Sequence, residues 1–222
     1  MPDRSNVLAF DTSAAHCAAA LRSGGALVAE MQEDMARGQA ERLMPLLEEL
    51  LRRSAIGWRD LDALAVGIGP GNFTGLRVGV AAARGLALGL GRPCHGVSTF
   101  DLALGGNRGE AVLVCLPAPH DMAYVQPFFR GRASGPAQLI DPARPPQDLQ
   151  APSGMSVTGP LAETVGRHFE CFVDQSDEGP VAPRIAEIAE HRHRAGERPD
   201  RPAPLYVRPP DAAPARAVPP VV

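Results

Sequence analysis

The 222-residue chain has room for one large domain or two small ones, and its 45% hydrophobic and 21% charged residues suit a folded core rather than wholesale disorder. Twenty-two basic against 25 acidic residues leave a net charge of −3, which counts against a freestanding nucleic-acid binder that must neutralise many phosphates. All 22 basic residues are arginines, so chemistry built on a P-loop or Schiff-base lysine is excluded.

In chain order, Val7–Thr12 reads as a buried strand and Ala18–Arg22 as a second. Gly24-Gly25 supplies the positive φ values of a tight turn, and Ala26–Glu33 returns as a third strand. Leu43, Leu46, Leu47, Leu50 and Leu51 recur at helical spacing with glutamates and arginines between them, predicting an amphipathic helix with Pro45 in its first turn. Ala63–Ile68 is an apolar strand flowing into Gly69-Pro-Gly-Asn72. A second helix spans about Phe73–Leu90, and Cys94–Val97 is a short strand. The order βββαβα(β) is that of one RNase H-like lobe.

The second half repeats this order more weakly. Strands are expected at Ala111–Leu116, Met122–Phe129, Ala137–Ile140 and Ser156–Thr158, with helices around Leu161–His168 and Ile185–Arg194. The tail from Gly196 is dense in proline, which forbids regular helix. Extended packing is expected to about Arg208 and a loose end beyond it. The expected domains are therefore a first lobe over 1–100, a smaller second lobe over 101–208 and a proline-rich terminus over 209–222.

The densest motif is Gly69-Pro-Gly-Asn-Phe-Thr-Gly-Leu-Arg-Val-Gly79, where a strand, a glycine loop and a helix N-terminus form a candidate anion cradle. It lacks the Gly-Lys-Ser/Thr of a Walker loop and the spacing of a dinucleotide fingerprint, and a tight helix-on-sheet turn needs the same glycines. Inside the helix, Gly75, Gly79, Ala83 and Ala87 form one small-residue row, and Ala81, Gly85 and Gly89 form another. One row must face the lobe's own sheet. The other, with the helix carrying Leu43, Leu47 and Leu50, would give a helical face for a partner, and periodicity does not say which row is which.

Asp11, Thr12 and Ser13 close the first strand, where actin-like ATPases and sugar kinases place an aspartate and small hydroxyls before a nucleotide's phosphates. Ordinary turn chemistry uses the same residue types. The matching place in the second half, Leu116-Pro-Ala-Pro-His-Asp121, loses N–H donors to its prolines, so a nucleotide site would be half-built. His16 beside Cys17, Cys94 beside His95, and His168 with Cys171 read as packing or surface pairs, and no metal-ligand spacing is present. Four cysteines without a C-x-x-C pair suit reduced thiols. The apolar run Val7–Phe10 is too short for a signal peptide, and Val78–Gly91, broken by Arg84, is too short to span a bilayer. A soluble, cytoplasmic protein without membrane association is expected.

Leu8-Ala-Phe-Asp-Thr-Ser13, Glu41-Arg-Leu-Met-Pro-Leu46, the glycine motif Gly69–Gly79 and Pro204-Leu-Tyr-Val-Arg-Pro-Pro-Asp211 together resemble the TsaB (YeaZ) family. The resemblance is dense over 7–100, thin over about 105–180, and returns at 204–211. It implies an α/β, actin-like/Hsp70-like (ASKHA) duplicated RNase H-like fold of two lobes, the second reduced. It also implies a noncatalytic subunit that pairs with TsaD and recruits the ATPase TsaE, for threonylcarbamoylation of the adenosine next to the tRNA anticodon. No cofactor is expected in this chain. The ATP would be used through TsaE and a metal would be held by TsaD, whose histidine pair has no counterpart in Gly38-Gln-Ala-Glu-Arg42. A homodimer of the isolated chain and indirect contact with tRNA through the complex belong to the same expectation. The resemblance leaves Leu43, Leu47, Leu50, Gly75, Gly79, Ala83 and Ala87 as partner-binding candidates and Asp11, Thr12 and Ser13 as a vestigial nucleotide site. The competing classes are a nucleotide-dependent enzyme of the actin-like/sugar-kinase class and a metallopeptidase.

Overall fold

The computed structural model describes residues 5–107, 109–146, 149, 155–169, 172–174 and 179–207. The first sheet is built from β1 (Asn6–Asp11), β2 (His16–Ser23), β3 (Ala26–Asp34), β4 (Ala63–Gly69) and β5 (Cys94–Ser98) in the order β3-β2-β1-β4-β5. The first three strands are antiparallel, and β4 and β5 join in parallel. Such parallel joins need crossovers, and α1 (Gln39–Arg53) and α2 (Phe73–Leu90) supply them.

The second sheet runs β11 (Phe172–Asp174), β10 (Ser156–Thr158), β6 (Ala111–Ala118), β7 (Met122–Phe129), β8 (Arg132–Ala133), with β9 (Gln138–Ile140) also on β7. Read from its far edge this is the first sheet's order again, antiparallel strands first and parallel strands after. The duplication expected from the sequence is present, with short strands and one five-residue helix, α4 (Ala162–Gly166), where the first lobe has α2.

One face of the first sheet packs on α1 and α2 through Leu8, Phe10, Leu21, Leu43, Leu46, Leu47, Leu50 and Val80. Removing these side chains from water contributes ~1.5–3 kcal/mol each before ordering costs. The other face is covered by α5 (Val181–Arg194), whose Ala182, Ile185, Ala186 and Ala189 meet Val7, Ala9, Ala18 and Ala20. The alanines on both sides let this helix lie close to the sheet. The last helix among the described residues therefore packs on the lobe built by the first hundred residues.

The elements differ from the sequence reading in several places. The first helix begins at Gln39, ahead of its leucine stripe, so exposed Pro45 lies beyond the first turn. An unforeseen helix, α3 (Thr99–Leu104), carries the chain from β5 towards the second sheet, with a Ser98–Asp101 capping box at its start. A 3-10 turn at Trp58–Asp60 and the short strands β8 and β11 were also not foreseen. Residues 197–207 run without regular structure along the first lobe, held where the Leu205 amide donates to the Ile68 carbonyl at 2.8 Å. The segment expected to be loose, 209–222, lies outside the described residues. By length and composition α2 could reach across a membrane, but it packs along the sheet with Gly75, Leu76, Gly79, Val80 and Ala83 buried.

Candidate functional site

The site begins where β1 ends. Asp11 is buried, and Gly67 on β4 makes room for it: a Cβ at Gly67 would stand 1.9 Å from Asp11 Oδ1. Asp11 Oδ2 accepts from the Ser13 amide at 3.0 Å and the Ser13 hydroxyl at 2.9 Å, and pairs with His16 Nε2 at 2.7 Å. The hydrogen bond to Asp11, with Asp11 and Asp34 as neighbouring negative charges, raises the His16 pKa above its ordinary value against the opposing effect of burial.

The glycine loop meets this turn directly. The Asn72 amide donates to the Ser13 carbonyl at 2.6 Å, and the buried Thr12 hydroxyl donates to the Gly75 carbonyl at 2.7 Å. A Cβ at Gly75 would lie 1.8 Å from the Thr12 carbonyl oxygen, and one at Gly71 would lie 2.6 Å from that of Ser13. The glycines thus bring helix and turn into contact, a packing role. The first amides of α2 are already used, because Asn72 Oδ1 accepts from Thr74 and Gly75, each at 3.0 Å. The anion cradle suggested by the motif is filled by the chain itself. Asp11, Thr12 and Ser13 do come together, as a hydrogen-bonded plug against the helix entry.

In the second lobe the equivalent turn, 119–121, is exposed, with His120 at φ 62° and Asp121 at φ 57°. These left-handed residues form a solvated turn, and the carboxylate is not drawn into the sheet as Asp11 is.

The partner-face candidates need correction at the level of individual side chains. Leu43, Leu47 and Leu50 lie in the core beneath α1, and Gly75, Gly79 and Ala83 are buried against the sheet and Thr12. Ala87 is half-buried. The row offered as partner-binding, Gly75, Gly79 and Ala83, is thus the inward one, because only glycine fits opposite the Thr12 backbone at Gly75. The row left open is Ala81, Gly85 and Gly89, with no atom within 4 Å of a Cβ at either glycine. Beside it Leu88 is 86% exposed, and Met44 on α1 is also exposed.

Two further features escaped the sequence reading. Phe73 stacks with Tyr206 at 5.3 Å between ring centroids, and the Arg77 guanidinium sits 3.7 Å above the Phe73 ring, tying the tail to the start of α2. His95 is buried with Nε2 unpartnered, and burial, with His193 and Arg192 nearby, depresses its pKa to about 4. Burial raises the thiols of Cys17, Cys94 and Cys115 to about 11, 12 and 12, which leaves them protonated and unreactive.

A family model described as TsaD, tRNA N6-adenosine threonylcarbamoyltransferase, matches residues 30–133. The tRNA threonylcarbamoyladenosine biosynthesis protein TsaB of Escherichia coli strain K12 is 42% identical over 191 residues, covering 82% of this chain and 80% of that protein. The TsaB protein of Haemophilus influenzae is 41% identical over 128 residues, covering 56% of this chain and 54% of that protein. Among solved structures, YeaZ from Pseudomonas aeruginosa superposes with a TM-score of 0.66 at 27% identity, covering 91% of this chain and 99% of that one. A ROK hexokinase from Thermus thermophilus, at 14% identity and a TM-score of 0.54, shares the fold, in keeping with the expected actin-like architecture. Four-fifths of the Escherichia coli protein is matched at 42% identity, and the chain belongs to the TsaB (YeaZ) family of tRNA threonylcarbamoyladenosine biosynthesis proteins.

Proposed function

We propose that this chain is the noncatalytic scaffold subunit of a cytoplasmic threonylcarbamoyl-transfer complex, pairing with a TsaD protein through the outward face of α1 and α2 and admitting TsaE to the pair. The observation that carries this reading is the plug at the start of α2. The turn that nucleotide-handling relatives of this fold use to face phosphates is hydrogen-bonded to the helix from within, through Thr12 to Gly75 and Asn72 to Ser13. That closure turns a phosphate-binding device into a mount for α2. The far side of the mounted helix presents Ala81, Gly85, Leu88 and Gly89, a low and apolar surface that lets another helix come close. A second copy of this chain could use the same face when TsaD is absent. Where TsaD carries its metal-binding histidines, Gln39 donates instead to the Met35 carbonyl at 3.1 Å, which supports a role without a metal of its own.

Co-purification tests the reading. The wild-type chain should bring TsaD with it from its own cell, and Gly85→Leu and Leu88→Asp should each weaken recovery about tenfold or more, or ~1.4 kcal/mol, with no loss of melting temperature. The isolated chain should show no threonylcarbamoyl transfer and no peptidase turnover after repurification. Normal pairing by both variants would move the partner face elsewhere, and turnover by the isolated chain would end the scaffold reading.

A further inference from the structure

Asp11 and His16 stand at the rim of the plug, and their geometry links a partly exposed imidazole to the first turn of α2. His16 Nε2 lies 2.7 Å from Asp11 Oδ2, and the same oxygen holds the Ser13 amide and hydroxyl. Ser13 passes the constraint on, since its carbonyl accepts from the Asn72 amide at 2.6 Å. Asn72 in turn caps the helix through the Thr74 and Gly75 amides. Thr12, between Asp11 and Ser13, donates to the Gly75 carbonyl. The turn is therefore fixed to the Asp11 carboxylate through Ser13 on one side and to the helix N-terminus through Thr12 and Ser13 on the other.

The charged neighbours of His16 are acidic. Asp11 lies on β1, and Asp34 is its cross-strand partner on β3. On the α5 side, the space around the Asp11 carboxylate at Gly67 is bounded by the apolar Ile185. An imidazolium here makes a charge-assisted bond to Asp11. A neutral imidazole keeps only an ordinary one, and only in the tautomer with the proton on Nε2.

We propose that His16 is a positioning residue, forming with Asp11 a proton-dependent clasp that sets where the first turn of α2 sits. The proposal concerns the isolated chain and does not depend on the identity of its partner. Protonated, His16 tightens Asp11 onto Ser13 and thereby holds the capping turn Asn72–Gly75. Deprotonated, it relaxes the carboxylate, and the capping turn shifts with it. Because the pairing favours the charged imidazole, the tightened state prevails at pH well below the ordinary 6.5 and is lost as pH rises through the folded-state pKa of His16, which lies above that value.

The test is a pH titration of the intact chain followed by NMR. The His16 ring signals should titrate with a midpoint above 6.5, and the backbone amides of Asn72, Thr74 and Gly75 should move with the same midpoint. In His16→Gln that shared transition should vanish while the remaining spectrum is kept. Asp34→Asn, which leaves the Asp11 contact in place, should lower the midpoint without abolishing the coupling. A His16 midpoint at or below 6.5, or capping-turn amides that ignore the His16 transition in the wild-type chain, would overturn the proposal even if His16→Gln failed to fold. Persistence of the amide transition in a folded His16→Gln chain would do the same.

Discussion

The two lobes share a strand order but differ in what their equivalent turns do. After β1 the chain buries Asp11 and seals its turn against α2, an 18-residue helix. After β6 it makes an exposed turn, and the β10–α4 connection, Gly159-Pro160, leads to a helix of five residues. The Gly-Pro step follows the corresponding strand in both lobes: Gly69-Pro70 after β4, Gly159-Pro160 after β10. In both the glycine has positive φ, and a Cβ at Gly159 would stand 2.3 Å from the Cys115 carbonyl oxygen. The close turn is common to both lobes, whereas among the described residues the long helix and the buried polar plug belong to the first alone. The first lobe also has helices on both faces of its sheet, the second of them α5, contributed from far along the chain. The difference teaches that the duplicated framework tolerates a thin second copy because the first carries most of the packed helix surface.

The sharpest way to break this contrast is to put a side chain where the plug meets α2. Gly75→Leu places a Cβ against the Thr12 carbonyl at 1.8 Å, and backbone cannot yield as a flexible side chain can. Loss of more than ~3 kcal/mol, or failure to fold, is expected by urea denaturation. Gly85→Leu on the open row should instead gain roughly 0.5–1 kcal/mol from helix propensity. Equal effects of the two substitutions would remove the distinction between the rows.

A second test uses the buried polar group under α5. His95 has its pKa depressed to about 4 against an ordinary 6.5, chiefly because burial opposes the charge. Below pH 6.5 the unfolded chain takes up a proton that the folded chain refuses. Stability is therefore complete above pH 6.5 and declines as pH falls towards 4, by up to roughly 3 kcal/mol. Denaturant midpoints at descending pH measure this, and His95→Gln should flatten the slope. A slope unchanged in the variant would assign the acid sensitivity to other groups.

Much of the first lobe was legible in sequence because its signals are local. Asn72 supplies a capping side chain and Gly91 a left-handed C-cap at φ 63°, and the helix expected over about Phe73–Leu90 is present. In α1 the leucine stripe shows which face is apolar but not what covers it, and only packing shows that Leu43, Leu47 and Leu50 meet their own core and not a partner. The site itself rests on contacts remote in sequence. Thr12 and Gly75 are 63 residues apart, and nothing in either segment states that their backbones touch. His16 beside Cys17 reads in sequence as a packing pair, because its partnership with Asp11 is made by the turn and not by a helical or strand period. Helix α3 has six residues, too few for periodicity, although Ser98 and Asp101 carried a capping-box signal. The two small-residue rows of α2 were both visible, but periodicity is symmetric between them, and the choice was made by the Thr12 backbone.

The ion pairs extend the comparison at a smaller scale. Glu190 on α5 is buried, pairs with Arg22 Nε at 2.7 Å, accepts from the Gly25 amide at 2.8 Å and meets Arg194 at 3.1 Å. Glu190→Gln keeps the shape and most acceptor contacts but leaves the Arg22 charge without its carboxylate, so a loss of about 1–3 kcal/mol is expected by chemical denaturation. A neutral result would mean that the β2–β3 hairpin does not depend on α5 for its charge balance.

The smallest effect belongs to the same chemistry in the second lobe. Arg130 and Glu110 pair at 3.2 Å with both side chains largely in water, at 70% and 75% exposure. Holding two long side chains together there costs rotamer freedom, and water and salt screen the attraction. A double-mutant cycle of Glu110→Ala and Arg130→Ala should give a coupling of ~0.2–1 kcal/mol at low salt. In about 1 M salt, where the screening length is ~3 Å, the coupling should fall towards zero. The Glu190–Arg22 pair, sealed between α5 and β2, should keep most of its coupling in the same salt. Exposure, and not the identity of the ions, is what separates the two pairs. A salt-resistant coupling at Glu110–Arg130 would show that the second lobe's surface is more ordered than its exposure implies, and would narrow the contrast between the lobes.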